Sequence, residues 1–185
     1  KKMKIKRSKC MAAAKCALAS ALLLSVLALA AGCGGTNGSK DDGNVITVPA
    51  SDAVTSITEA IGDSGIDSTV KKGQADFDDN FKDLYGISED LITDGAFAYD
   101  STGASADEIT VLRVGKNDDI DKVKQALETR MSQRQQDFGG YKPEEAAKAS
   151  DGKVFACSNY VFLGICDDSS AARSAFMKFM QSATQ

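Results

Sequence analysis

The sequence predicts an α+β domain: a four-stranded, mostly antiparallel sheet with helices packed mainly on one face, carried behind an N-terminal leader. Three observations point there. Four segments with period-two alternation fall into two pairs, Ala96–Asp100 with Glu108–Val114 and Val154–Cys157 with Tyr160–Cys166. Each pair is followed by a segment with the 3.6-residue period of a helix. All eight phenylalanines and all four tyrosines lie beyond residue 44, where a polar stretch ends.

In order, Val54, Ile57 and Ile61 sit at i, i+3 and i+7 of a first helix, capped by Ser51 or Asp52 and ended by Gly62. Gly62 to Gly73 reads as loop, with Ile66 and Val70 its only large apolar residues. A second helix over Asp78–Tyr85 gathers Phe77, Phe81, Leu84 and Tyr85 on one side and stops at Gly86. Ser88 caps a short turn that Ile87 and Ile92 bracket as a hydrophobic staple. The first hairpin follows, its strands joined by the polar loop Ser101–Asp107. The longest helix starts near Lys116 and runs to Gln136 with Ile120, Val123, Leu127 and Met131 inward, and Gly139-Gly140 ends it. A polar segment after Pro143 leads to the second hairpin. Its strand Val161–Ile165 is apolar throughout and reads as central, covered on both faces. Asp167 or Asp168 caps a last helix with Ala172, Phe176, Phe179 and Met180 inward.

The leader has its own logic. Seven basic residues and no acid precede the apolar run Ala17–Ala31. That order, with small residues at its end, describes a secretory signal peptide over residues 1–32. The run is shorter than the roughly 20 apolar residues of a membrane span. Leu29-Ala30-Ala31-Gly32-Cys33 resembles a bacterial lipobox, with Ala30 where that pattern prefers leucine. Cys33 is then the lipidation site, and two acyl chains on it make a stable membrane anchor. Residues 33–44, CGGTNGSKDDGN, read as a flexible tether, and 45–185 as one domain.

Composition excludes more than it selects. Residues 33–185 keep 15 of the 22 basic residues and all 26 acids, a net charge of −11, which argues against nucleic acid as a partner. There is no histidine, so histidine-based triads and general acid–base chemistry are absent. No CxxC spacing occurs, and no metal or cofactor is expected. An EF-hand beginning at Asp76 fails, because Phe81 and Ile87 stand where glycine and glutamate are required. Ser68-Thr69-Val70-Lys71 matches S-x-x-K, but no Lys-Thr-Gly follows. Asp100, Asp107 and Glu108 gather carboxylates at one hairpin, yet the chain has no tryptophan and no signature of a sugar cleft. No catalytic residue is assigned.

Two local expectations follow from geometry. With a two-residue turn at Ser158-Asn159, Cys157 faces Tyr160 and Cys166 lies about 20 Å further along, beyond the roughly 7 Å a disulfide spans. At about 100° per residue, Arg134 falls in the apolar stripe of the long helix and Arg130 at its flank. Both need an acceptor, and Glu144 and Glu145 can fold back past Gly139-Gly140 to supply one, with Tyr141 stacked alongside. Arg130, Arg134, Tyr141 and Glu144 therefore form a site that is either a structural ion pair or the seat of a ligand anion.

Leu84-Tyr85-Gly86-Ile87, Ala106-Asp107-Glu108-Ile109, Leu127-Glu128-Thr129-Arg130, Phe138 to Glu145 (FGGYKPEE) and Ser158-Asn159-Tyr160-Val161 occur in this order between Val45 and Met180. Together they resemble a family of bacterial lipoproteins carrying domain of unknown function 4358. The resemblance implies a surface lipoprotein and no established activity. The expectation is a membrane-anchored extracytoplasmic protein, held through the lipid on Cys33, acting as a non-catalytic binding or accessory module of the cell envelope with an envelope protein as partner. The alternative is a small carboxylate-dependent hydrolase or wall-modifying enzyme. A third reading is a purely structural component of a membrane complex.

Overall fold

Strand alternation decides the architecture. The computed structural model describes residues 47–62 and 64–184. The expected signal peptide, the lipid site at Cys33 and the tether all lie outside those residues. The elements run α1 (Ala50–Ile61), β1 (Ser68–Lys71), α2 (Ala75–Tyr85), β2 (Ile92–Tyr99), β3 (Glu108–Val114), α3 (Ile120–Gly139), α4 (Pro143–Ser150), β4 (Lys153–Cys157), β5 (Tyr160–Ile165) and α5 (Ser169–Ser182). Short 3₁₀ turns precede β2 and α3.

The class is α+β, but the sheet has five strands rather than four. They lie in the order β1-β2-β3-β5-β4, antiparallel at every pairing. The extra strand is β1, inside the stretch read as loop. It is an edge strand of four residues with one buried side chain, Val70, too short to show alternation.

Helices cover both faces of the sheet, not mainly one. In β3, Leu112 and Val114 point to one side, Ile109 and Val111 to the other, and β2 and β5 divide likewise. A sheet apolar on both faces must be covered on both. One core packs Phe77, Phe81 and Tyr85 of α2 with Val123 and Leu127 of α3 against Phe97, Leu112, Val161 and Leu163. The other packs Ala53, Val54 and Ile57 of α1 with Ala172, Phe176 and Met180 of α5 against Ile109, Val111 and Phe162. Phe162 and Phe176 stack there with centroids 5.0 Å apart.

The segment after Pro143 is helical. Proline opens α4, Glu144 and Glu145 lie in its first turn and Lys148 in its last, an order that suits the helix dipole. The α1 start also differs from expectation. The side chain of Asp94 in β2, rather than Ser51 or Asp52, accepts the Ala50 N–H at 2.8 Å. The Tyr160 hydroxyl of β5 donates to the Val48 carbonyl, fixing the chain as it enters α1. Asp168 caps α5 through the Ala171 N–H. In the second hairpin Cys157 pairs with Tyr160 across Ser158-Asn159, and Ser158 takes the positive φ of 51° that this turn needs. Cys157 and Cys166 are separate buried thiols.

Candidate functional site

Ionisable side chains concentrate at the sheet end where β2 stops and β3 begins. Glu108 and Thr110 occupy the same face of β3 as Leu112 and Val114, so an acid is carried into an apolar core. Such a charge is tolerated only with a partner and further hydrogen bonds. Arg130 of α3 supplies the partner. Its Nη2 and Nε reach the Glu108 Oε2 at 2.7 and 2.9 Å, and the two side chains are 12 % and 1 % exposed. The Tyr85 hydroxyl donates to the Glu108 Oε1 at 3.0 Å and lies 2.9 Å from the Thr110 hydroxyl. Burial, reinforced by the Glu108 carboxylate, pushes the Tyr85 phenol well above its ordinary pKa. Burial works against the Arg130 charge, but Glu108 outweighs it and the guanidinium pKa rises. This assembly is closed on itself.

The neighbouring acids are similarly engaged. Lys148 of α4 contacts Asp107 at 3.0 Å, Asp167 at 3.1 Å and Glu145 at 3.2 Å. Its pKa rises because these three acids overcome the cost of burial. The second contact of Glu145 is the Ala106 N–H, at 2.7 Å. Asp100 accepts the Thr102 hydroxyl and the backbone N–H groups of Thr102 and Ser105. Those bonds, the Thr102 hydroxyl foremost, hold its carboxyl down at about 2.

The expected site residues separate. Arg130 makes an ion pair, with Glu108 rather than Glu144 or Glu145. The Glu144 side chain is exposed and makes no hydrogen bond or ion pair among the described residues, whereas Glu145 turns toward Lys148 and the β2–β3 loop. Arg134 lies over the Phe138 ring at 4.9 Å and donates from Nη2 to the Ser105 carbonyl at 2.7 Å. Its buried Nε is the one buried side-chain polar atom among the described residues with no hydrogen-bond partner. Tyr141 joins the Arg134 end of α3 instead of Arg130. Its ring sits 5.5 Å from Phe138 and is 63 % exposed, the only large hydrophobic side chain exposed among the described residues. Lys142 donates to the Ala104 carbonyl.

Arg134, Phe138, Tyr141 and Lys142 thus form one corner against the β2–β3 loop. The corner is held firmly, since the N–H groups of Tyr141 and Lys142 both bond to the Phe138 carbonyl at 3.1 and 2.9 Å. Pro143 keeps Lys142 out of helical geometry and starts α4 immediately. Neither Arg134 nor Lys142 enters an ion pair among the described residues. The corner therefore presents an aromatic face beside two cations that enter no ion pair among the described residues.

Sequence reasoning placed Glu108 among the hairpin carboxylates and Tyr85 on an apolar helix side, and missed that both meet Arg130 in the core. Their signal is the alternation of Glu108, Thr110, Leu112 and Val114, which places an acid on an otherwise apolar strand face.

The clefts lie elsewhere. One of about 450 Å³ between α1 and α5 is lined mostly by alanine and serine with Phe179 and Lys178. Another of about 440 Å³ beside β1 carries Glu59 and Asp67, both exposed, with Asp67 tied to Ser101 at 2.8 and 2.9 Å. Among the described residues no group of three or more acids or cysteines is placed to hold a metal ion, and no helix is long and apolar enough to cross a membrane.

No curated protein and no solved structure matches the chain. One family does match, described as "Domain of unknown function (DUF4358)", over residues 66–166. That span holds all five strands with α2, α3 and α4, including the Glu108–Arg130 pair and the Tyr141 corner, and leaves out α1 and α5. Covering more than half of the sequence and the whole of its sheet, the match places this chain in the DUF4358 family.

Proposed function

We propose that the protein is a lipid-anchored, extracytoplasmic module of the bacterial cell envelope that binds rather than catalyses. The address rests on the basic leader, the short apolar run and Cys33. The binding reading rests on one contrast. Asp107 and Glu108 are spent on Lys148 and Arg130, and Asp100 on internal donors, while Tyr141 stands exposed near Arg134 and Lys142, which enter no ion pair among the described residues. A hydrolase working through paired carboxylates needs one that holds a proton near neutral pH. Asp100, held down at about 2, does not supply it.

The test of the anchor is metabolic labelling with a fatty acid in cells producing the full chain. The protein incorporates label and fractionates with membranes, and Cys33→Ser abolishes both and leaves an unprocessed precursor. Label retained by Cys33→Ser refutes the lipid assignment. For the binding reading, Tyr141→Ala lowers occupancy of the module's envelope ligand while leaving labelling and membrane fractionation unchanged.

A further inference from the structure

We propose that the corner formed by Arg134, Phe138, Tyr141 and Lys142 binds a saccharide chain that carries an anionic group. The proposal rests on the binding reading above and names the class of ligand.

The site has the two components such a ligand requires. The Tyr141 ring, 63 % exposed and backed by the buried Phe138, offers a rigid apolar face on which a sugar ring can lie. Tyrosine supplies large contact area at small entropic cost, and here the corner is already fixed by the two bonds to the Phe138 carbonyl. Arg134 and Lys142 supply the charge. Among the described residues each hydrogen-bonds to a backbone carbonyl of the β2–β3 loop, Ser105 for Arg134 and Ala104 for Lys142. A carboxylate or phosphate meets charge-assisted donors here.

Shape selects the ligand further. A small molecule is held in a cleft that encloses most of its surface, whereas Tyr141 stands 63 % exposed. A protein partner wants an apolar centre ringed by residues that exclude water, whereas Tyr141 is the only large hydrophobic side chain exposed among the described residues. An extended chain needs only one ring platform per residue and polar groups alongside.

The full chain, purified in detergent micelles, is titrated by calorimetry with four probes. They are peptide-free wall glycan bearing free lactyl carboxylates, phosphomannan fragments, neutral chito-oligosaccharides and polyglutamate. We expect one of the two anionic glycans to bind more tightly than the neutral one, the carboxylate and phosphate arms identifying the source of the charge. Tyr141→Ala weakens that binding about tenfold or more, Tyr141→Phe preserves it, and Lys142→Gln removes the preference for anionic over neutral glycan. Unchanged melting curves confirm that the variants fold. Equal or tighter binding of polyglutamate through Tyr141 overturns the saccharide assignment while keeping a binding site there. Absence of glycan binding up to about 1 mM also overturns it. The lipid-labelling test above is independent of both results.

Discussion

Arg130→Ala removes the cation from a carboxylate that is 1 % exposed, and the loss follows from what Glu108 retains. Its Oε2 forfeits both arginine contacts, at 2.7 and 2.9 Å, while Oε1 keeps the Tyr85 hydroxyl at 3.0 Å. Breaking a buried pair by removing one partner costs about 3–5 kcal/mol. The surviving phenol bond puts this case at the lower end, about 3 kcal/mol. That is the top of the roughly 1–3 kcal/mol appropriate to a partly buried charged hydrogen bond. For a domain of this size it corresponds to a fall in Tm of about 6–12 °C. Urea unfolding followed by circular dichroism measures it directly. Glu108→Leu with Arg130→Met regains most of the loss, because no lone charge stays behind and Tyr85 still bonds to Thr110 at 2.9 Å. A loss below about 1 kcal/mol for Arg130→Ala would show that water reaches Glu108, and the argument from burial would be refuted.

Gly164→Ala brings a Cβ to 2.4 Å from the Phe162 ring, itself stacked on Phe176, and lowers stability by about 1–3 kcal/mol in the same urea assay. Asp100 has a folded pKa of about 2 against an ordinary value of 3.8, so its contribution is present above pH 4 and disappears as pH falls toward 2. Asp100→Asn therefore destabilises the protein at pH 6 and flattens the acid limb of its stability profile, read from Tm against pH. Burial raises the Cys166 thiol pKa, so iodoacetamide at pH 8 modifies it slowly in the native protein and faster once urea unfolds the chain, as peptide mass mapping reports.

The elements most legible in the sequence bury large side chains on a fixed period. β3, β5 and α3 each place four or more apolar residues at the right spacing, and the hairpin turn at Ser158-Asn159 has the expected pairing. α4 escaped because its inward residues, Ala146 and Ala149, are too small to stand out in a hydrophobic pattern, although Pro143, Glu144, Glu145 and Lys148 carried the helix signal. β1 escaped because an edge strand buries so little. Covering helices on both faces were implied once Ile109 and Leu112 were both apolar, a fact visible in the strand but not weighted in the expected architecture. The partner of Arg130 was hidden for a different reason. Helix geometry turns Arg130 toward the core, but only the packing of α3 across the sheet face selects Glu108, 22 residues upstream, over the nearer Glu144.

The hydrogen bonds from Tyr160 to Val48 and from Ala50 to Asp94 also set how the domain carries mechanical load. Tension applied through the N-terminal chain reaches Val48 and Ala50 first, and both are fastened to interior strands, β5 and β2. The force passes directly into the middle of the sheet instead of peeling α1 from the outside. Between those anchor points lies β3, hydrogen-bonded to both neighbours, so the load is spread over two complete ladders that must be disrupted together. A pull on the N-terminal chain is thus met along the sheet, and α1 serves as a strap whose buckle is Asp94 and Tyr160.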